Sequence, residues 1–248
     1  MGLSEQFWNA SIHELKKGYV EGECSFTCLL CGAQIEKGVI YPYEDSLYEA
    51  ERYMQIHIKQ KHGSVFEYIV GMDKKLTGLT DHQNKLLRLF YEGRSDKEVQ
   101  EEMGIGSAST IRNHRFVLKE KERQAKMFLA IMELIKEKDK HAPALIPPHK
   151  QAKMIDSRYD ITVEEQAKAM AKFMPDGVLL TFPPKEKQRL IIMREIAKKF
   201  KAGRIYNEKQ TNEVILNVFS DYVKVRRYLI EYGFLNRKPD GSEYWVNE

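Results

Sequence analysis

Four metal-competent side chains in a fixed order constrain this chain more than any other feature. Cys28 and Cys31 are separated by two residues, and His57 and His62 by four. Two thiolates at that spacing can bracket one tetrahedral ion from a tight turn, and Gly32 directly after them suits such a knuckle. The spacing predicts a helix over Tyr48–His62, ended by Gly63, that carries both histidines on one face or in its last turn. Four protein ligands leave no open coordination position, and two thiolates cancel the charge of the ion. The expected cofactor is therefore structural Zn2+ rather than a hydrolytic metal. Ile58, not Glu, follows His57, so the metalloprotease helix pattern is absent. A metal also answers an energetic need. Residues 1–75 are net acidic and have few large apolar side chains, so a bound ion would supply folding free energy that a small core does not. Cys24 is left over, either as a small buried residue or as a substitute for Cys28.

The order of the four ligands resembles that of a Cys2His2 zinc finger. The gap from Gly32 to Ile56 is longer than the usual spacing of about twelve residues. The likeness is thus to the ligand pattern, and the acidic charge argues against this segment as the main DNA contact. Three cysteines in 248 residues exclude a disulfide scaffold. No run of about 18 apolar residues is present, and the first residues lack a secretory or myristoylation signal. A cytoplasmic protein without a membrane partner is expected.

The net charge of +4 is unevenly distributed. Residues 182–238 contain fourteen basic and six acidic residues, and Arg112–Lys126 contains six basic and two acidic. Basic foci are the electrostatic footprint of a polyanion binder, although a solvated lysine-rich helix face has the same composition. Around the first focus the helix signals are dense. Thr80 can cap a helix that carries Leu86, Leu87, Leu89 and Phe90 and stops at Gly93. Ser95-Asp96-Lys97-Glu98 reads as a capping box opening a short helix that ends at Gly104. A third helix begins at Ser107 or Ser109. Two helices joined by a glycine turn, the second basic and polar on one face, form a helix-turn-helix.

Leu79-Thr80, Gly93–Val99 and Ser109–His114 together resemble the LuxR-type helix-turn-helix. That resemblance implies a last motif helix in the major groove of double-stranded DNA. Arg112 and Asn113 would contact bases, and Ser109 and Thr110 would contact phosphate at the helix start. Arg115, Lys119 and Arg123 would approach the backbone. Arg115 and Phe116 depart from the family pattern, and with them the rotation of the helix. The helix is expected to continue through Met127–Ile135. Ala125, Phe128, Met132 and Ile135 make one apolar stripe, and Met127, Ile131 and Leu134 another. Such a helix must be covered on two sides, by its own chain or by a second copy in a homodimer.

Pro143, Pro147 and Pro148 make 139–150 read as an extended linker between the halves. Beyond it, the expected order is a helix over Thr162–Phe173, a helix opened by Pro184, a strand-like Arg204-Ile205-Tyr206, helices capped by Asn207 and Asp221, and a hairpin around Pro239-Asp240-Gly241. This is the order of a winged helix. The residues Phe182–Lys185, Tyr206–Glu208, Asp221-Tyr222, Arg226–Leu229 and Tyr244-Trp245 closely resemble an uncharacterised bacterial family, domain of unknown function 2087. Its members often accompany DNA-binding domains, and no activity is carried over from it. Arg226 and Arg227 leave their helix about 100° apart, so one can pair internally, with Asp221 for example, while the other meets an anion or nucleic acid.

The expected fold is mainly α with small β hairpins. Its parts are a zinc-binding module (1–75), a helix-turn-helix with a long dimerisation helix (76–138), the linker (139–150) and a winged-helix-like domain (151–248). The expected function is sequence-specific transcriptional regulation, with no effector indicated. A protein-interaction or anion-sensing adaptor is the alternative. No activated nucleophile, phosphate-cradling loop or open metal site suggests an enzyme.

Overall fold

A computed structural model describes residues 3–152 and 155–247. It is mainly helical, with small antiparallel sheets. The chain forms two compact units: Met1–Thr77 together with Leu145–Glu248, and Gly78–Ala144.

The first unit begins with α1 (Leu3–Asn9) and α2 (Ile12–Lys17). Ser11 and Glu14 form a reciprocal capping box on α2, and Gly18 ends it at φ 83°, a left-handed conformation suited to glycine. A three-stranded antiparallel sheet follows, made of β1 (Tyr19–Glu21), β2 (Ser25–Cys28) and β3 (Gln34–Glu36). Then β4 (Ile40–Tyr43) and β5 (Ser46–Glu49) pair through a two-residue turn, with Tyr43 opposite Ser46. The helix α3 (Ala50–His62) begins after that hairpin, so Tyr48 lies in β5 rather than in the helix expected from Tyr48 onward. Aromatic residues favour the pleated pairing there: Tyr41 opposes Tyr48 across the hairpin and stacks on Tyr53 of α3 with centroids 4.6 Å apart. Next come α4 (Val65–Val70) and α5 (Lys74–Thr77). Phe26, Leu29, Ile35, Met54 and Ile58 are buried together between α3 and the first sheet.

The second unit contains α6 (Asp81–Tyr91), α7 (Asp96–Met103) and α8 (Ala108–Lys138). Thr80 with Gln83 and Ser95 with Glu98 make reciprocal boxes on α6 and α7. Gly104 ends α7 in the left-handed conformation, and Ser107 caps α8 by accepting from the Thr110 N–H. Leu86, Leu89, Val99 and Ile111 form a small core with Phe90, Met103 and Ile105 around it. Beyond this core α8 runs on with its apolar residues uncovered. Met127, Leu129, Ile131 and Ile135 are exposed, and Phe128 and Leu134 are 62% and 63% exposed.

The first unit resumes at Leu145. A 3-10 turn (Ser157–Tyr159) leads to α9 (Val163–Phe173), α10 (Glu186–Ala197), α11 (Glu208–Leu216), α12 (Tyr222–Glu231) and the hairpin of β6 (Leu235–Arg237) and β7 (Tyr244–Val246). Tyr206 bridges to Tyr244, adding a second short backbone pairing beside that of the hairpin. Ile192, Met193, Ile196, Ile215, Leu229 and Phe234 are buried at the centre of this segment.

The segment expected to be a linker is divided. Residues 139–145 are exposed, but His149 and Lys150 are fully buried. The Trp8 indole donates to the Pro148 carbonyl at 2.8 Å, and Arg194 donates to the Pro147 carbonyl at 2.6 Å. The carbonyls of Pro147 and Pro148 thus serve as acceptors for both halves of the unit. His149 stacks on Phe234 at 4.0 Å and donates from Nε2 to the Tyr232 carbonyl at 2.9 Å.

Burial, aided by the nearby Arg194 charge, holds the pKa of His149 down to about 3. Below pH ~6.5 the unfolded chain therefore binds a proton that the folded chain refuses until about pH 3. Stability of the first unit should fall as the pH drops through that window, by up to about 1.4 kcal/mol per unit from this group. Urea denaturation of His149→Gln against wild type, at several pH values between 4 and 7, should show the slope reduced in the variant.

Candidate functional site

Cys28 ends β2 and Cys31 lies in the turn before β3. That turn is closed by two backbone bonds of 2.8 Å, from Gly32 N–H to the Cys28 carbonyl and from Cys28 N–H to the Ala33 carbonyl. Gly32 at φ 78° meets the Leu3 side chain, so a side chain here would be both strained and crowded. His57 and His62 come from the last two turns of α3, which Gly63 terminates. One ligand atom from each of Cys28, Cys31, His57 and His62 lies within 4.8 Å of all the others. Cys28 Sγ is 3.8 Å from His62 Nε2, and Cys31 Sγ is 3.2 Å from His57 Nε2. With bonds of ~2.3 Å to sulfur and ~2.1 Å to nitrogen, the S···N edge of a tetrahedral zinc site is ~3.6 Å. The four residues can hold a metal ion, and their donor set and spacing are consistent with zinc. Cys24 is exposed and lies outside this group.

The two thiols are unequal. A hydrogen bond from Cys28, with others from the two histidines and the Ala33 N–H, holds Cys31 well below the ordinary thiol range. As the donor in that pair, and buried, Cys28 is pushed up. The N–H groups of Leu30 and Cys31 oppose this rise by donating to Cys28.

The same two peptide units have a second partner, which sequence reasoning did not identify. Lys150 donates from Nζ to the Leu29 carbonyl at 2.9 Å and to the Leu30 carbonyl at 3.1 Å. Its ammonium also lies 5.7 and 5.9 Å from the ring centres of Phe7 and Tyr68. The Leu29–Leu30 and Leu30–Cys31 peptides are thus polarised from both ends, with a buried cation at each oxygen and a thiol sulfur at each N–H. A cation at the carbonyl makes the N–H a stronger donor, which favours the thiolate needed for metal binding. No local pattern distinguishes Lys150 from a solvated lysine after a proline pair.

In the second unit, Ser109, Thr110, Arg112 and Asn113 are all exposed in the first turns of α8. Among the described residues, the Arg112 and Asn113 side chains have no bonded partner. Arg115 is engaged: it bonds Asp96 at 2.8 and 2.9 Å and lies 3.7 Å over the Phe90 ring. Lys119 pairs with Glu122 at 2.7 Å, and Arg123 pairs with Glu120. These last two are exposed i,i+3 pairs, of the kind typically worth under about 1 kcal/mol, and they exchange readily for another anion.

In the C-terminal segment, Arg226 bonds Glu208 at 2.7 Å and Asn212 at 2.6 Å, rather than Asp221, which caps α12 through the Lys224 N–H. Arg227 is exposed and lies 5.3 Å from the Tyr228 ring centre. The pair therefore divides into one internal and one outward side chain.

Residues 178–246, from just before α10 through β7, match the model of a family described as an uncharacterized protein conserved in bacteria, DUF2087. No curated protein and no solved structure matches the chain. Among the described residues, no helix is long and apolar enough to cross a membrane.

Two measurements test the metal centre. Metal analysis of Cys28→Ser and of His57→Ala should show loss of a stoichiometric ion, and full occupancy in either would contradict the four-residue ligand set. Lys150→Met keeps every ligand but leaves two carbonyls without their cation. It should weaken zinc affinity about tenfold or more in a chelator competition. It should also cost the metal-loaded chain about 3 kcal/mol in urea denaturation.

Proposed function

We propose that this chain is a sequence-specific DNA-binding transcriptional regulator with a structural zinc ion. The observation that carries this reading is the second unit. Two capped helices, α7 and α8, are joined by a turn at Gly104, and the outward face of α8 presents Ser109, Thr110, Arg112 and Asn113 together. In a major groove, Arg112 suits guanine and Asn113 suits adenine, while the α8 N-terminus and its hydroxyls suit phosphate. Lys119 and Arg123 can exchange their surface carboxylates for phosphates further along the helix. Arg115 serves chiefly to join α8 to α7 through Asp96.

The uncovered apolar residues of α8 favour a homodimer, in which two such helices cover each other and two DNA-reading surfaces meet paired half-sites. The C-terminal order of helix, bridged strand, helix, helix and hairpin supports a winged-helix reading, with Arg227 on the outer face of α12 as a second anion contact. The same uncovered face on α8 is what the alternative, a protein-interaction adaptor, would use.

Binding of labelled duplexes, both selected from genomic DNA and random, tests the reading at physiological salt. Arg112→Ala should lose about 1–3 kcal/mol on the selected duplex and little on random duplex. Lys119→Ala should weaken both alike and lower the salt slope by about one. Equal affinity of the wild type for selected and random duplex would remove specific regulation. Sedimentation of Ile131→Glu should show a monomer where the wild type is a dimer.

A further inference from the structure

A cleft of the first unit, lined in part by the candidate ligands Cys31 and His62, plays no part in the proposed DNA binding. It has a volume of about 530 Å3. Its walls come from the knuckle, the end of α3, α4, the returning strand and the β6–β7 hairpin. That volume lies within the usual range of small-molecule sites. The cleft needs both segments of the unit, since Lys61 and Tyr68 come from one and Ile205 and Trp245 from the other.

The lining specifies an occupant. Tyr244 and Val246 turn into the core, so Trp245 between them lies on the opposite face of β7, half-buried at the cleft. Ile205 is 60% exposed at the same cleft, a large aliphatic side chain without cover. Lys238 is neutralised by Glu243 at 2.6 Å. Asn247 is committed to Asn236 and the Gly233 carbonyl. Lys61 has no ion-pair or hydrogen-bond partner among the described residues. Tyr68 lines the same cleft, half-buried, and its phenol brings a hydroxyl that can donate. The cleft thus combines an uncovered apolar wall, one uncompensated cation and one hydroxyl donor.

We propose that this cleft binds a small amphipathic monoanion, an aromatic or aliphatic carboxylate. Its apolar body lies against Ile205 and Trp245, and its carboxylate reaches Lys61 and the Tyr68 hydroxyl. This holds whether or not α8 binds DNA.

The probe is 1-naphthoate, added to the full-length zinc-loaded chain. The chain has two tryptophans, so two indole N–H signals report by nuclear magnetic resonance, and Trp8→Phe assigns them. The Trp245 signal should move saturably with a Kd on the order of 0.1 mM, while that of Trp8 stays in place. Lys61→Met should weaken binding about tenfold, as should replacing naphthoate by uncharged 1-naphthalenemethanol. Zinc content is measured alongside, since Lys61 neighbours a ligand. Ile205→Asp is remote from the ligands in sequence, already exposed, and opposes the anion directly. It should abolish the Trp245 shift with zinc retained. A Trp245 signal unmoved at millimolar naphthoate would overturn the proposal. So would a shift that both variants leave unchanged, or one that occurs at Trp8 instead.

Discussion

The first unit depends on one buried ammonium group. Lys150 enters from the C-terminal segment and bonds the two carbonyls of the knuckle that carries Cys28 and Cys31. Burying an ammonium without acceptors costs several kcal/mol, so the two knuckle carbonyls are part of what keeps Lys150 inside. The knuckle, in turn, is most firmly shaped when its sulfurs and imidazoles share an ion. Folding of the N-terminal segment and docking of the segment at 145–152 are therefore linked, and an ion bound at the knuckle would join the same equilibrium. His149 extends the linkage, since it seats the same strand on Phe234 and the Tyr232 carbonyl.

A metal in the knuckle would have a reach beyond its ligands. A four-ligand closed site leaves no position for a substrate, so its contribution would be mechanical. It would fix one wall of a cleft that the C-terminal hairpin also lines, so a small anion in the cleft and a metal in the knuckle would favour the same arrangement of the first unit. By contrast, the second unit has its own small core and caps. In the regulator reading, it is the part that reads DNA and the part that pairs with another copy.

Much of the candidate site was legible because its determinants are local. Capping boxes involve residues three apart, and the box at Ser95 occurs where its residue types predict it. The Cys and His spacing reflects a turn and a helix end, and the four side chains converge. The long gap between the ligand pairs had a hidden content, the β4–β5 hairpin, whose strands are four residues each and too short for a clear alternation. The reading of 139–150 as a linker, drawn from its prolines, misses the burial of His149 and Lys150, because that burial depends on partners about 80 and 120 residues away.

The sequence by itself determined the candidate ligand set, the helix caps, the continuity of α8 and the division of charge, since each follows from neighbouring residues and their periodicity. Only the tertiary structure decided that the metal-binding and C-terminal segments form one unit with the helical unit inserted between them. It alone placed Lys150 behind the cysteine knuckle, Arg226 in an internal pair, and Lys61, Ile205 and Trp245 around one cleft. Whether a lysine is solvated, buried on two carbonyls or poised for an anion is decided by what the chain brings against it, and residue type and spacing carry no record of that.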